Sequence, residues 1–272
     1  MASPSRDLPR SAFLTVVKSY LQETLVYRFD LWVGLLRTFI LVLVFRALWG
    51  ALYGSQGSYL GVSIASITTY AVISLVINPL FSNALIMETN DRIRTGNILF
   101  DITRPLAYDN LLLYKTIGTS LVRFFTASLP LFVIAVLVLR VSLPASPWVW
   151  LAFAGSFCLS FLIAFYIDYT VSLSGFWLTE IAGIRFAKWS LTDLLAGVYI
   201  PLWLFPTPFK EIALVLPFRG INYTPLSILA GTTPLAGVPG ELGFQLFWVG
   251  ALYVLSRLVF ARVIRKLAVQ GG

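Results

Sequence analysis

Histidine is absent from this chain, and cysteine occurs once, at Cys158. The first absence removes the commonest general base and a frequent metal ligand. The second excludes an intrachain disulfide. Charge is scarce too: Asp, Glu, Lys and Arg make up 12% of the 272 residues, about half of what a soluble domain carries. There is no P-loop, GxGxxG, HExxH or paired-cysteine metal motif. Without a Walker site the chain cannot bind and hydrolyse ATP by itself, so its work must draw on an ion gradient or a partner subunit. Residues 1–10 are polar, and no short apolar core with a small-residue cleavage site follows, so no signal peptide is expected.

What the chain has instead is apolar length. Hydrophobic residues form 58% of it, gathered into six stretches long enough to cross a bilayer. They run over about 31–53, 61–86, 117–139, 148–177, a fifth starting near Trp189, and 242–261. In the first, Trp32 and Trp49 stand 17 residues apart, about 26 Å of helix and close to the hydrocarbon thickness. The fourth is too long for a perpendicular crossing and should tilt or extend beyond the membrane. The expected fold is all-α: one polytopic membrane domain over residues 1–272, with six transmembrane helices and no loop long enough for a separate soluble domain.

Two segments depart from plain crossings. Over 11–29, Phe13, Val17, Tyr20, Leu21, Leu25 and Phe29 recur at helical spacing opposite Lys18, Gln22 and Glu23. This predicts an N-terminal amphipathic helix (1–29) in the membrane interface, the alternative being a helical extension of the first span. Seven of the 14 prolines fall between Pro201 and Pro239. The apolar pieces there are too short to cross a bilayer and predict a re-entrant external helical hairpin over 194–240; an ordinary external loop with a hydrophobic patch is the alternative.

Orientation follows from the basic residues. Fourteen Lys and Arg lie in the N-terminal segment, the gaps after spans two and four, and the C-terminal tail, whereas the other gaps hold only Arg140, Lys210 and Arg219. The positive-inside rule then places both termini in the cytoplasm, with an even number of spans. The net charge of +8 is dispersed between apolar spans and reads as topology signals and contact with anionic lipid rather than nucleic-acid binding.

Charges inside spans are costly and mark functional candidates. Arg37, Arg46, Arg123 and Asp168 qualify, and Arg46, Arg123 and Asp168 are the candidates for a translocation pathway. The arginines have the alternative of snorkelling to headgroups, and Asp168 of neutralisation by an arginine. The sharpest local signal is the cytoplasmic loop over 87–116. Charges cluster at Glu88, Asp91, Arg92 and Arg94; Gly96 punctuates; an apolar Ile98, Leu99, Phe100 patch precedes Arg104 and Pro105. Such a short amphipathic helix suits a groove on a soluble partner, the alternative being a solvated turn.

Four features together resemble the permease subunit of a type-two ABC exporter, nearest the branch of bacterial viologen-exporter-like permeases. They are the amphipathic entry helix; the loop Glu88, Arg94, Thr95, Gly96, Leu99, Arg104, Pro105, Leu106; the run Ile200, Pro201, Leu202, Phe205, Pro206 with Leu216, Pro217, Phe218 and Tyr223, Thr224, Pro225; and the basic tail ending Val269, Gln270, Gly271, Gly272. The resemblance implies a bacterial inner-membrane protein that is not itself an enzyme. It implies a second permease subunit, the same or homologous, and two ATP-binding subunits that carry ATP and Mg, with no cofactor on this chain. Glu88, Asp91, Arg92, Arg94, Gly96, Leu99 and Phe100 would form or flank the coupling helix, and the cargo would be amphipathic or hydrophobic, with a cation allowed. The rival classes are a gradient-driven secondary transporter and a membrane-embedded lipid-modifying enzyme. The first calls for inverted repeats and midplane carboxylates, and the chain has no evident repeat and only Asp168. The second calls for convergent acid, base or metal ligands, and the carboxylates here are scattered.

Overall fold

A computed structural model describes Lys18 and residues 28–53, 58–59, 61–81, 84–103, 107–137, 141, 143–178 and 180–270. The entry helix expected over 11–29 lies almost wholly outside the described residues, as do Arg104, Pro105 and Leu106 of the loop.

The described residues are all-α apart from a two-residue ladder, β1 (Ser58–Tyr59) with β2 (Val62–Ser63). Among the described residues, five helical stretches are long and apolar enough to cross a membrane: Trp32–Tyr53, Ile64–Arg94, Tyr108–Leu137, Pro147–Phe176 and Leu235–Arg265. The first is α1 (Arg28–Tyr53). It packs by one seam, in which Val42, Phe45, Trp49 and Tyr53 meet Ile67, Ala71, Val72 and Leu75 of the next span. Its other side exposes Leu36, Ile40, Leu43, Leu48 and Leu52, which is the pattern of a helix solvated by lipid or by another membrane helix.

The second stretch starts as α2 (Ile64–Ile77), where the Ser63 hydroxyl caps the Ser66 amide at 3.0 Å. It breaks into a 3-10 turn at Asn78–Leu80 because Pro79 has no N–H for the helix ladder, and continues as α3 (Ala84–Arg94). A five-residue helix, α4 (Ile98–Ile102), follows. The third stretch joins α5 (Tyr108–Arg123) to α6 (Leu129–Leu137) through a π turn at Phe124–Ser128. Pro130 removes the amide that would bond the Thr126 carbonyl, a common cause of such a bulge. The fourth is α7 (Pro147–Ser172), with Pro147 at the first helical position and a 3-10 extension over Leu173–Phe176. Its excess length carries it to α3, where Gly175 lies close to the Asn90 and Ile93 side chains.

The fifth span, expected as one helix from Trp189, is not among these five stretches. Here α8 (Ala182–Leu195) has 14 residues, about 21 Å and short of the hydrocarbon thickness. It stops in a Schellman motif: the Gly197 amide bonds the Leu194 carbonyl at 3.2 Å, and the Val198 amide bonds that of Asp193 at 3.1 Å. Gly197 has φ +70°, a conformation that a β-carbon makes costly. Two short helices, α9 (Thr207–Val215) and α10 (Tyr223–Leu229), then lead to α11 (Val238–Gln270). With 33 residues, or about 50 Å, α11 overshoots the 242–261 expected from hydropathy at both ends. It pairs extensively with α7.

Candidate functional site

Two features stand out, a knuckle at the arginine-rich end of the bundle and a belt of polar groups within it. The knuckle is α3, the turn and α4. Gly96, at φ +73°, supplies the left-handed residue that ends α3, and its amide bonds the Ile93 carbonyl at 3.1 Å. Arg92 on α3 is ion-paired with Asp101 on α4, and Glu88 on α3 with Lys115 on α5. Behind them Leu85 and Ile98 enter a core with Tyr108, Leu112, Phe165, Tyr169, Leu173 and Val263. Arg257 of α11 ties that core to Asp109 of α5 at 3.3 Å. In front, Asp91, Arg94 and Gly96 are exposed, and Leu99 and Phe100 are 52% and 70% exposed. All seven loop residues singled out from the sequence therefore meet in one feature, in two roles. Glu88 and Arg92 brace it from behind, and the other five form its outer surface.

Arg46, Arg123 and Asp168 have three different surroundings. Arg46 and Arg37, on opposite faces of α1, are both exposed. Arg123 is half-buried and donates to the Pro79 carbonyl at 3.4 Å, while the Ser120 hydroxyl donates to that of Leu80 at 2.8 Å. Span three thus satisfies carbonyls released where span two breaks. Asp168 on α7 is buried in an ion pair with Lys188 of α8, so its partner is a lysine rather than the expected arginine.

The belt satisfies the irregular backbone after α8. The Tyr70 hydroxyl donates to the Gly197 carbonyl at 2.8 Å and the Ser74 hydroxyl to that of Val198 at 2.7 Å. The Asn222 amide donates to Ser74 Oγ at 2.7 Å. Across the bundle, Gln245 of α11 donates to the Gly220 carbonyl at 2.8 Å, to the Ser156 carbonyl at 3.0 Å and to Ser160 Oγ at 3.0 Å, and accepts from the Ser156 hydroxyl at 2.9 Å. Broken backbone among apolar helices is stable only when its polar groups are met in this way. Nearer the start of α11, Arg219 reaches Glu241 at 3.2 Å and covers the Phe244 ring at 3.8 Å.

A reading of formal charges alone misses Ser74, Thr192, Asn222 and Gln245. The signal for Gln245 was available: it is the one amide side chain in the apolar run 242–261. Lys188 reads from sequence as a topology marker beside Arg185, because its partner lies 20 residues away on another helix.

The Asp168–Lys188 pair makes a direct prediction. Lys188→Met leaves a buried carboxylate without its cation and should cost about 3 kcal/mol or more. Asp168→Asn combined with Lys188→Met should recover most of that loss. Thermal unfolding of the purified variants in mild detergent checks both, and equal losses in the single and double variants would contradict the pairing.

Residues 32–271 of the chain match the model of a family described as ABC-2 family transporter protein. No curated protein matches it.

Proposed function

This chain belongs to the ABC-2 family of transporter proteins, and from that premise we propose that it forms half of the translocation pathway of an ATP-driven exporter. As a membrane component of such a transporter it is a permease rather than a catalytic chain. In our reading it pairs with a second permease, the same or homologous, above two ATP-binding subunits that hold ATP and Mg. Residues 1–272 act as one permease domain in a bacterial cytoplasmic membrane with both termini inside. The fifth crossing is α8 completed by the irregular segment after Gly197, which brings the crossings to six. Residues 194–240 then form the re-entrant outer hairpin.

The observation that carries this reading is the two-sided build of the knuckle. Two apolar side chains and two charges face outward around Gly96, while ion pairs and a buried core bind the other side to α5, α7 and α11. An exposed patch backed by a rigid root suits a socket on a soluble subunit and transmits its displacement into the bundle. The cargo is amphipathic or hydrophobic, because few charges line the interior.

Purifying the assembly from its native membranes in mild detergent tests the reading, with subunits identified by mass. The expected result is a Walker-containing ATPase in one-to-one ratio with the permease. A chain that purifies alone, with no bound ATPase under any gentle condition and no loss of transport on ATP depletion, would overturn it.

A further inference from the structure

A cleft between α7, α8 and the hairpin is lined by Asp168, Lys188, Trp189, Thr192, Asp193 and Asn222. Thr192 is 8% exposed, yet its hydroxyl has no hydrogen-bond partner among the described residues. The Ser128 hydroxyl is left in the same way, but other helix threonines of this chain behave differently. Thr116, Thr119, Thr126 and Thr170 each donate to the carbonyl four residues back, the habitual outlet for a threonine in an apolar helix. Thr192 has the same option at the Lys188 carbonyl and does not take it. A buried hydroxyl left in this way costs free energy unless a ligand meets it.

The charges around it set the sign of that ligand. Lys188 is committed to Asp168. Asp193 is half-buried one residue from Thr192. The cleft lining therefore holds two carboxylates against one ammonium. Arg37 of α1 is not among the cleft residues. At the rim, Trp189 is 40% exposed and presents a ring of the kind that attracts cations.

We propose that this cleft binds the head of a protonated amphipathic amine. Its N–H groups donate to the Asp193 carboxylate and the Thr192 hydroxyl, and its apolar body rests on Trp189. The amine's role as cargo rests on the transporter reading above; its binding does not. A quaternary ammonium, having no N–H, satisfies the charge but neither acceptor, so the cleft should discriminate between the two.

The test uses the full-length chain in lipid nanodiscs, with empty nanodiscs correcting for partition into lipid. The probes are naphthalen-1-ylmethylammonium and its trimethylammonium analogue, and binding is read by equilibrium dialysis. The amine should bind at least about tenfold more tightly than the quaternary analogue, the scale of a hydrogen bond to a charged group. Asp193→Asn and the near-isosteric Thr192→Val should each weaken the amine by about tenfold, and Thr192→Val should leave the analogue unchanged. Undiminished amine binding in well-folded Thr192→Val, or equal affinity for the two probes, would overturn the assignment. Neither result would alter co-purification with an ATPase, so the two readings fail separately.

Discussion

Phe100→Glu should abolish coupled transport while the protein still inserts and folds. Phe100 is 70% exposed, so the change touches little inside the permease, and its stability should move by no more than about 0.5 kcal/mol. The cost falls on the contact outside. An aromatic anchor in a partner's pocket typically carries about 2 kcal/mol or more, which corresponds to roughly 30-fold weaker association. Leu99→Glu should act in the same direction. Asp101→Ala acts differently, because it frees Arg92 and loosens the knuckle from behind. The measurement is transport and ATPase stimulation in reconstituted vesicles, alongside a melting curve of the permease. Wild-type transport with wild-type stimulation in Phe100→Glu would remove the knuckle from the mechanism.

Gln245→Leu should have the largest effect on the hairpin. The side chains are similar in volume, so packing around α11 changes little. The lost hydrogen bonds to Ser156, Ser160 and Gly220 are what matter. Individual bonds of this kind in membrane proteins average only about 0.6 kcal/mol. Here several go at once in a buried network, so a loss of about 2 kcal/mol is expected. Hydrogen exchange over 217–229 should speed up by roughly tenfold or more relative to the spans, because the segment loses its tether to α11. Unchanged exchange would mean that Ser160, which also donates to the Gly220 carbonyl at 2.7 Å, holds the segment without Gln245.

The spans were legible because about 20 apolar residues in a row have few other uses, and the knuckle because charge, glycine and an apolar patch adjoin in sequence. The break after α8 was not legible in the same way. Hydropathy stays high across Ala196, Gly197 and Val198, and only the backbone shows that the helix stops there. The polar belt was hidden for another reason. Tyr70, Ser74 and Asn222 are unremarkable one at a time, and their meaning comes from partners far away in the chain. Arg123 illustrates the same limit. A charge in a span invites a functional reading, and sequence alone does not show that it also donates to the Pro79 carbonyl, where the second span breaks.

The interlocking of distant segments also constrains biosynthesis. The carbonyls of Pro79 and Leu80 are met by Arg123 and Ser120, so the second span cannot settle until the third has been synthesised. The Gly220 carbonyl is met by Ser160 and by Gln245, and Gln245 leaves the ribosome 25 residues after Gly220. A nascent chain halted before α11 therefore holds the Gly220 carbonyl by one of its two partners, a state in which quality-control proteases would find the 217–229 region accessible.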